Sequence, residues 1–148
     1  MNIAPARPRS RDISTPNDVG VAVRRFYRAV IADPLLGPLF ERYGVDWSHH
    51  IPKLVRYWEH VLFDRPGSAV NTIAIHAPVQ RATPFGSEHV DRWLDLWVDT
   101  LDSLYVGPVA ERAKARAHQV GRALNTIALR QRGEIPEGVT HGSNEDTR

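Results

Sequence analysis

The chain has no cysteine, which excludes disulfides, thiolate metal sites, iron–sulfur clusters and thiol nucleophiles together. The same absence suits an oxidising or a reducing compartment. Lysine is nearly missing, since Lys53 and Lys114 are the only two among 19 basic residues. That arginine bias lifts the isoelectric point to about 9.3 at a formal net charge of only +2, so basicity alone is no nucleic-acid footprint. No apolar run approaches the ~18 residues of a membrane span, and the N-terminus lacks an apolar signal core. A cytoplasmic protein that contacts neither membrane nor nucleic acid is expected. Period-two alternation, the mark of half-buried strands, is almost absent. P-loop, G-x-S-x-G and HExxH patterns are also missing, leaving nucleotide chemistry, serine hydrolysis and helical zinc sites without support.

What remains is one domain's worth of globular chain, 148 residues with 42% apolar and 24% charged. Its ends are polarised. Residues 1–11 carry Arg7, Arg9 and Arg11 without an acid, while 133–148 carry Glu134, Glu137, Glu145 and Asp146 against Arg148. The expectation is a disordered basic tail over 1–14, a domain over 15–132 and a disordered acidic tail over 133–148.

The interior reads as helices, so the fold class is all-α. Thr15-Pro16-Asn17-Asp18 is a helix start, followed by Val19, Val23, Phe26, Tyr27 and Val30 at helical spacing up to Asp33-Pro34. A short apolar piece from Leu35 to Phe40 ends at Tyr43-Gly44. A helix opening at Asp46 to Ser48 carries Ile51, Leu54, Trp58 and Val61, with Pro52 near its first turn. Residues 69–77 predict a brief helix stopped by Pro78, and a loop then runs to Gly86. Ser87 is expected to cap a long helix with Val90, Trp93, Trp97 and Leu101 inward. Gly107-Pro108 turns the chain into a last helix over about 109–131.

Seven histidines carry whatever metal chemistry exists, and no two lie three or four apart, as ligands sharing one helix face would. His76 sits in the apolar run Ile73-Ala74-Ile75, with no acid within seven positions. Two readings stand: a core histidine satisfied by one hydrogen bond, or a single axial ligand to a large apolar cofactor such as haem. His50 likewise is an exposed helix-start histidine, beside His49, or the polar head of a face continuing through Leu54, Tyr57, Trp58 and Val61. Phe26-Tyr27 and Trp93/Trp97 are core stripes or pocket walls, with the Tyr27 and Trp93 polar edges as donors to a ligand in a dry pocket. Asp91, Asp95, Asp99 and Asp102 form an acidic face, solvated or docking. Arg24, Arg25 and Arg28 accompany no nucleic-acid recognition motif.

In this order and spacing the pieces resemble the truncated haemoglobin family, group III branch. The matching stretches are Phe26-Tyr27-Arg28-Ala29-Val30 with Asp33-Pro34-Leu35 and Leu39-Phe40, then His50 with Tyr57-Trp58, then His76 followed by a proline-containing loop and His89-Val90-Asp91-Arg92-Trp93-Leu94-Asp95-Leu96-Trp97. The absence of any Gly-Gly pair separates the chain from groups I and II. Tyr57 and Val90 stand where the group has Phe, and Ser68 to Ala74 lacks the Tyr-x-Gly-x-Pro found there.

The resemblance implies a two-over-two helical sandwich around haem b. His76 would be the proximal iron ligand, and Tyr27, His50, Leu54 and Trp93 would line the distal ligand pocket. Phe26, Phe40, Trp58 and Trp97 would pack on the haem, with Lys53, Arg56, His49 and Arg81 as partners for its propionates. It further implies binding of O2, NO, CO or peroxide at ferrous iron, a reductase as partner, and an NO-dioxygenase or peroxidase-like activity. The competing expectation is a cofactor-free helical interaction module that uses the acidic face and the tails.

Overall fold

The first helix, α1 (Pro16–Ala32), begins where its capping chemistry dictates. Thr15 Oγ1 accepts the Asp18 N–H at 3.2 Å and the Asp18 carboxylate accepts the Thr15 N–H at 3.1 Å, a reciprocal box that satisfies two orphan donors. Val19, Val23, Phe26, Tyr27 and Val30 are all buried, as the 3.6-residue period requires. Five further helices follow: α2 (Leu36–Tyr43), α3 (Trp47–Phe63), α4 (Thr72–Ala82), α5 (Ser87–Leu104) and α6 (Pro108–Gln131). The computed structural model describes residues 11–64 and 72–133, and no strand occurs among them.

Helices α1 and α3 pack together, α5 and α6 pack together, and the pairs meet through α1 on α5 and α3 on α6. This is the expected two-over-two sandwich. Small α2 closes on α1 and α5, and α4 lies on α6. At the centre, Trp58 and Trp97 stack at 4.7 Å with 25° between their planes, and Phe26 meets Trp97 edge-on at 5.0 Å. Burial of each such side chain contributes about 1.5–3 kcal/mol or more. Helix α6 approaches α5 closely because its inner face is Ala110, Ala113, Ala117 and Gly121. No described helix is long and apolar enough to cross a membrane.

Four local expectations are corrected. Among the described residues packing is already present at Arg11, ahead of the boundary expected at residue 15. Ile13 is in the core, and the Asp12 carboxylate caps α6 by accepting the Val109 N–H at 2.7 Å and the Ala110 N–H at 2.9 Å. A Cβ on Gly107 (φ +147°) would lie 2.5 Å from Asp12 Cγ, so only glycine lets that carboxylate in. Residues 1–10 and 134–148, the bulk of the expected tails, lie outside the described residues, as do 65–71.

Pro52 stands inside α3 rather than in its first turn. Its missing donor would serve the Ser48 carbonyl, at an exposed position where water can replace it. Pro78 does not stop α4, which runs on to Ala82. An internal proline costs about 3 kcal/mol, and tertiary anchoring offsets it here. Gln80, buried to 2% exposure, accepts the Phe85 N–H at 2.9 Å and donates to the Phe85 carbonyl at 3.0 Å. Finally, Gly86 rather than Ser87 is the N-cap of α5. The Gly86 N–H donates to His89 Nδ1 at 2.9 Å, so an imidazole acts where a hydroxyl was expected.

Candidate functional site

Tyr27 occupies the inner wall of α1, where three other elements converge. Its ring lies 6.4 Å from Phe40 of α2, and 5.2 and 5.9 Å from Trp47 and His50 of α3. Phe40, Trp47 and His50 also contact one another at 5.4 and 5.8 Å. On the remaining side stands α5, whose Trp93 meets the Phe26 ring edge-on at 5.9 Å. Burial drives the Tyr27 phenol well above its ordinary pKa, an effect the Trp93 indole offsets only partly. Tyr27 is therefore a neutral hydroxyl at any physiological pH. Its own proton has no acceptor among the described residues, so it can be given to a ligand.

His50 is half-buried, and its pKa is held below the ordinary imidazole value. Burial is the largest cause, followed by the charge of His76 and then that of Lys53. Two conclusions follow. His50 is neutral at pH 7, with one nitrogen donating and one accepting. His76, although on the separate helix α4, is one of the groups whose charge acts on His50. His76 itself is half-buried and has interaction partners of its own.

The other expected residues divide by their surroundings. Phe40, Leu54 and Trp93 are half-buried and packed against the core, so each keeps a face for a bound group. Phe26, Trp58 and Trp97 are enclosed at 1, 4 and 2% exposure. The Trp97 N–H is committed to the Ala113 carbonyl at 3.2 Å. These three belong to the buried core. Lys53, Arg56, His49 and Arg81 are exposed.

Trp47 was missed. It is the first residue of α3, three positions before His50, and that i,i+3 spacing to a histidine was the available signal. Tyr57, which departs from the group III pattern, accepts the Arg116 Nε–H at 3.0 Å and ties α3 to α6. On α5, Asp91, Asp95 and Asp99 are exposed, whereas Asp102 pairs with Lys114.

Among solved structures, one similar to this chain is the group III truncated hemoglobin from Campylobacter jejuni, with 21% identity and a TM-score of 0.67 over 78% of this chain and 92% of that one. The fold is that of a truncated globin. No family model matches the sequence, and no curated protein does. Within this truncated-globin fold, the described residues hold no cluster of three or more His, Asp or Glu side chains that could ligate a bare ion. An imidazole set among Tyr27, Trp47 and Phe40, with His76 acting on it from α4, instead fits a large apolar cofactor that carries its own metal. The donor set therefore fits haem.

Proposed function

We propose that the protein is a haem-binding truncated haemoglobin that takes diatomic ligands. The observation carrying this reading is the cluster of Tyr27, Phe40, Trp47 and His50, drawn from α1, α2 and α3, within a truncated-globin fold. His76 would be the proximal residue and His50 the distal one. Haem b, when bound, would supply a redox-active iron able to take O2, NO, CO or peroxide.

The chain's own residues supply orientation, dryness and hydrogen bonds. Tyr27 gives its proton directly to a ligand held beside it. Trp93, half-buried on α5, adds an indole N–H as a second donor. Neutral His50 adds a donor from α3 and keeps the mouth free of a second cation. Phe40, Trp47 and Leu54 exclude water, which strengthens each of these bonds. Lys53 and Arg56, exposed one to two turns past His50, are the cations for the propionates. His49 and Arg81 are weaker partners.

Direct donors of this kind slow O2 release, so redox detoxification, as an NO dioxygenase or a peroxidase-like catalyst, fits the site better than transport. That activity requires a reductase, and a cytoplasmic setting suits it.

Reconstitution with haemin tests the reading. A Soret band near 400 nm at one haem per chain is expected, and His76→Gly should lose it unless imidazole is added. No absorbance there after reconstitution would sink the proposal.

A further inference from the structure

The turn between α4 and α5 is fastened at both ends. On the α4 side, the Gln80 amide holds both the N–H and the carbonyl of Phe85, and the Thr83 N–H donates to the Val79 carbonyl at 2.8 Å. On the α5 side, the Gly86 N–H donates to His89 Nδ1 at 2.9 Å, while the Gly86 carbonyl accepts the His89 N–H at 3.1 Å. The His89 side chain is 16% exposed.

The same imidazole nitrogen has a second neighbour with the opposite demand. Glu88 Oε1 lies 3.3 Å from His89 Nδ1, and Glu88 Oε2 stands over the turn, 2.6 Å from where a Cβ on Gly86 would lie. A backbone N–H can only donate, so Nδ1 carries no proton while it holds Gly86. A carboxylate can only accept, so Glu88 engages Nδ1 once that atom is protonated. One proton therefore decides the partner, and imidazole is the side chain that gains one between about pH 5 and 8. Asp33, at the corner of α1 and α2, is committed to Arg92 of α5 at 2.7 Å. Helix α6 meets this end of α5 through Gly121, which faces Val90 and Leu94; His118 and Arg122 beside it, like Arg81 of α4, are exposed.

We infer that His89 is a pH-operated latch on the turn between α4 and α5. Its neutral imidazole holds Gly86 closed, and its protonated form turns to Glu88 and lets the turn open. Opening removes the α5-side fastening from α4, a helix that already contains Pro78 and that bears His76. The inference rests on the haem reading only for its consequence at His76, since the latch itself is made of groups present in the chain.

The test has two arms. In the first, amide exchange is followed by NMR in the protein as purified, at about pH 5.5 and about pH 7.5, on either side of the middle of the imidazole range. Variants are compared at the same pH. His89→Asn puts an amide oxygen that does not titrate in place of Nδ1 and should hold the turn closed at both values. The Gly86 amide of the unaltered protein is expected to exchange about threefold to tenfold faster than that of His89→Asn at the lower pH, the loss of one net hydrogen bond, and equally fast at the higher. His89→Phe, which offers no acceptor, should exchange fast at both, and His118→Gln should leave the pH dependence in place. In the unaltered protein the Gly86 amide shift should follow the His89 ring signals through their titration. In the second arm, the haemin complex should release haem faster than His89→Asn at the lower pH and match it at the higher.

A Gly86 exchange ratio that is the same at both pH values, or a Gly86 shift that ignores the His89 titration, would overturn the inference. Loss of the pH dependence in His118→Gln would overturn it too. Equal haem release from the unaltered protein and His89→Asn at the lower pH would overturn its extension to His76. A latch that titrates in a chain that binds no haemin would sustain the inference and defeat the haem reading.

Discussion

Replacing Tyr27 by Phe removes one oxygen atom from the site and leaves the ring contacts with Phe40, Trp47 and His50 in place. Two energies follow. Towards a ligand, the lost bond is a donation from a neutral phenol at 5% exposure to an acceptor that gains partial negative charge. Hydrogen bonds to charged groups contribute about 1.5–3 kcal/mol, and so little exposure leaves water small room to substitute. That predicts O2 release about 10- to 150-fold faster, since ~1.4 kcal/mol is a factor of ten. Towards stability, the phenol makes no hydrogen bond with a described protein group, so loss of its oxygen should change stability by less than about 1 kcal/mol. Stopped-flow displacement of O2 by CO measures the first quantity and urea unfolding the second. Release within twofold of the unaltered protein, in a variant that binds haemin normally, would refute the assignment of Tyr27 as direct donor.

Asp18 offers a prediction independent of haem. It accepts Arg11 through both oxygens at 2.7 and 2.8 Å, together with the Ser14 and Thr15 N–H groups, and its carboxyl is held far below the usual carboxylate range, chiefly by the Arg11 bond. A depressed folded-state value means that the stabilisation is fully present above the unfolded pKa of about 3.9 and is lost as pH falls below it. Asp18→Asn should therefore lower stability by about 2 kcal/mol at pH 7, and the gap to the unaltered protein should narrow as pH falls below 4; a gap independent of pH would count against the ion pair. Gln80→Leu keeps volume but strips both partners from Phe85, so it should cost about 2 kcal/mol or more in urea unfolding and loosen α4, seen as faster amide exchange over 72–82.

The all-helical class, the start of α1 and the inward stripes are local or periodic properties. They depend on φ/ψ preference, capping and the 3.6-residue repeat, all of which are legible along the chain. Tyr27 was legible as a buried side chain with a polar edge; that Phe40, Trp47 and His50 surround it was not, because those contacts span three helices.

Local rules failed where distant partners intervened. Pro78 should have ended α4, but the Gln80 amide and the surface of α6 carry the helix past it. Asp12 looked like part of a basic tail until α6 folded back to place two unpaired N–H groups against its carboxylate. By itself the sequence determined which segments are helical and which side chains must be buried, since propensity and hydrophobic burial act at every position independently. Only the tertiary structure decided which polar groups meet: Asp12 with the Val109 N–H, Tyr57 with Arg116, Trp97 with the Ala113 carbonyl. Those contacts hold because a desolvated polar group must find a partner, and packing decides which partner is within reach.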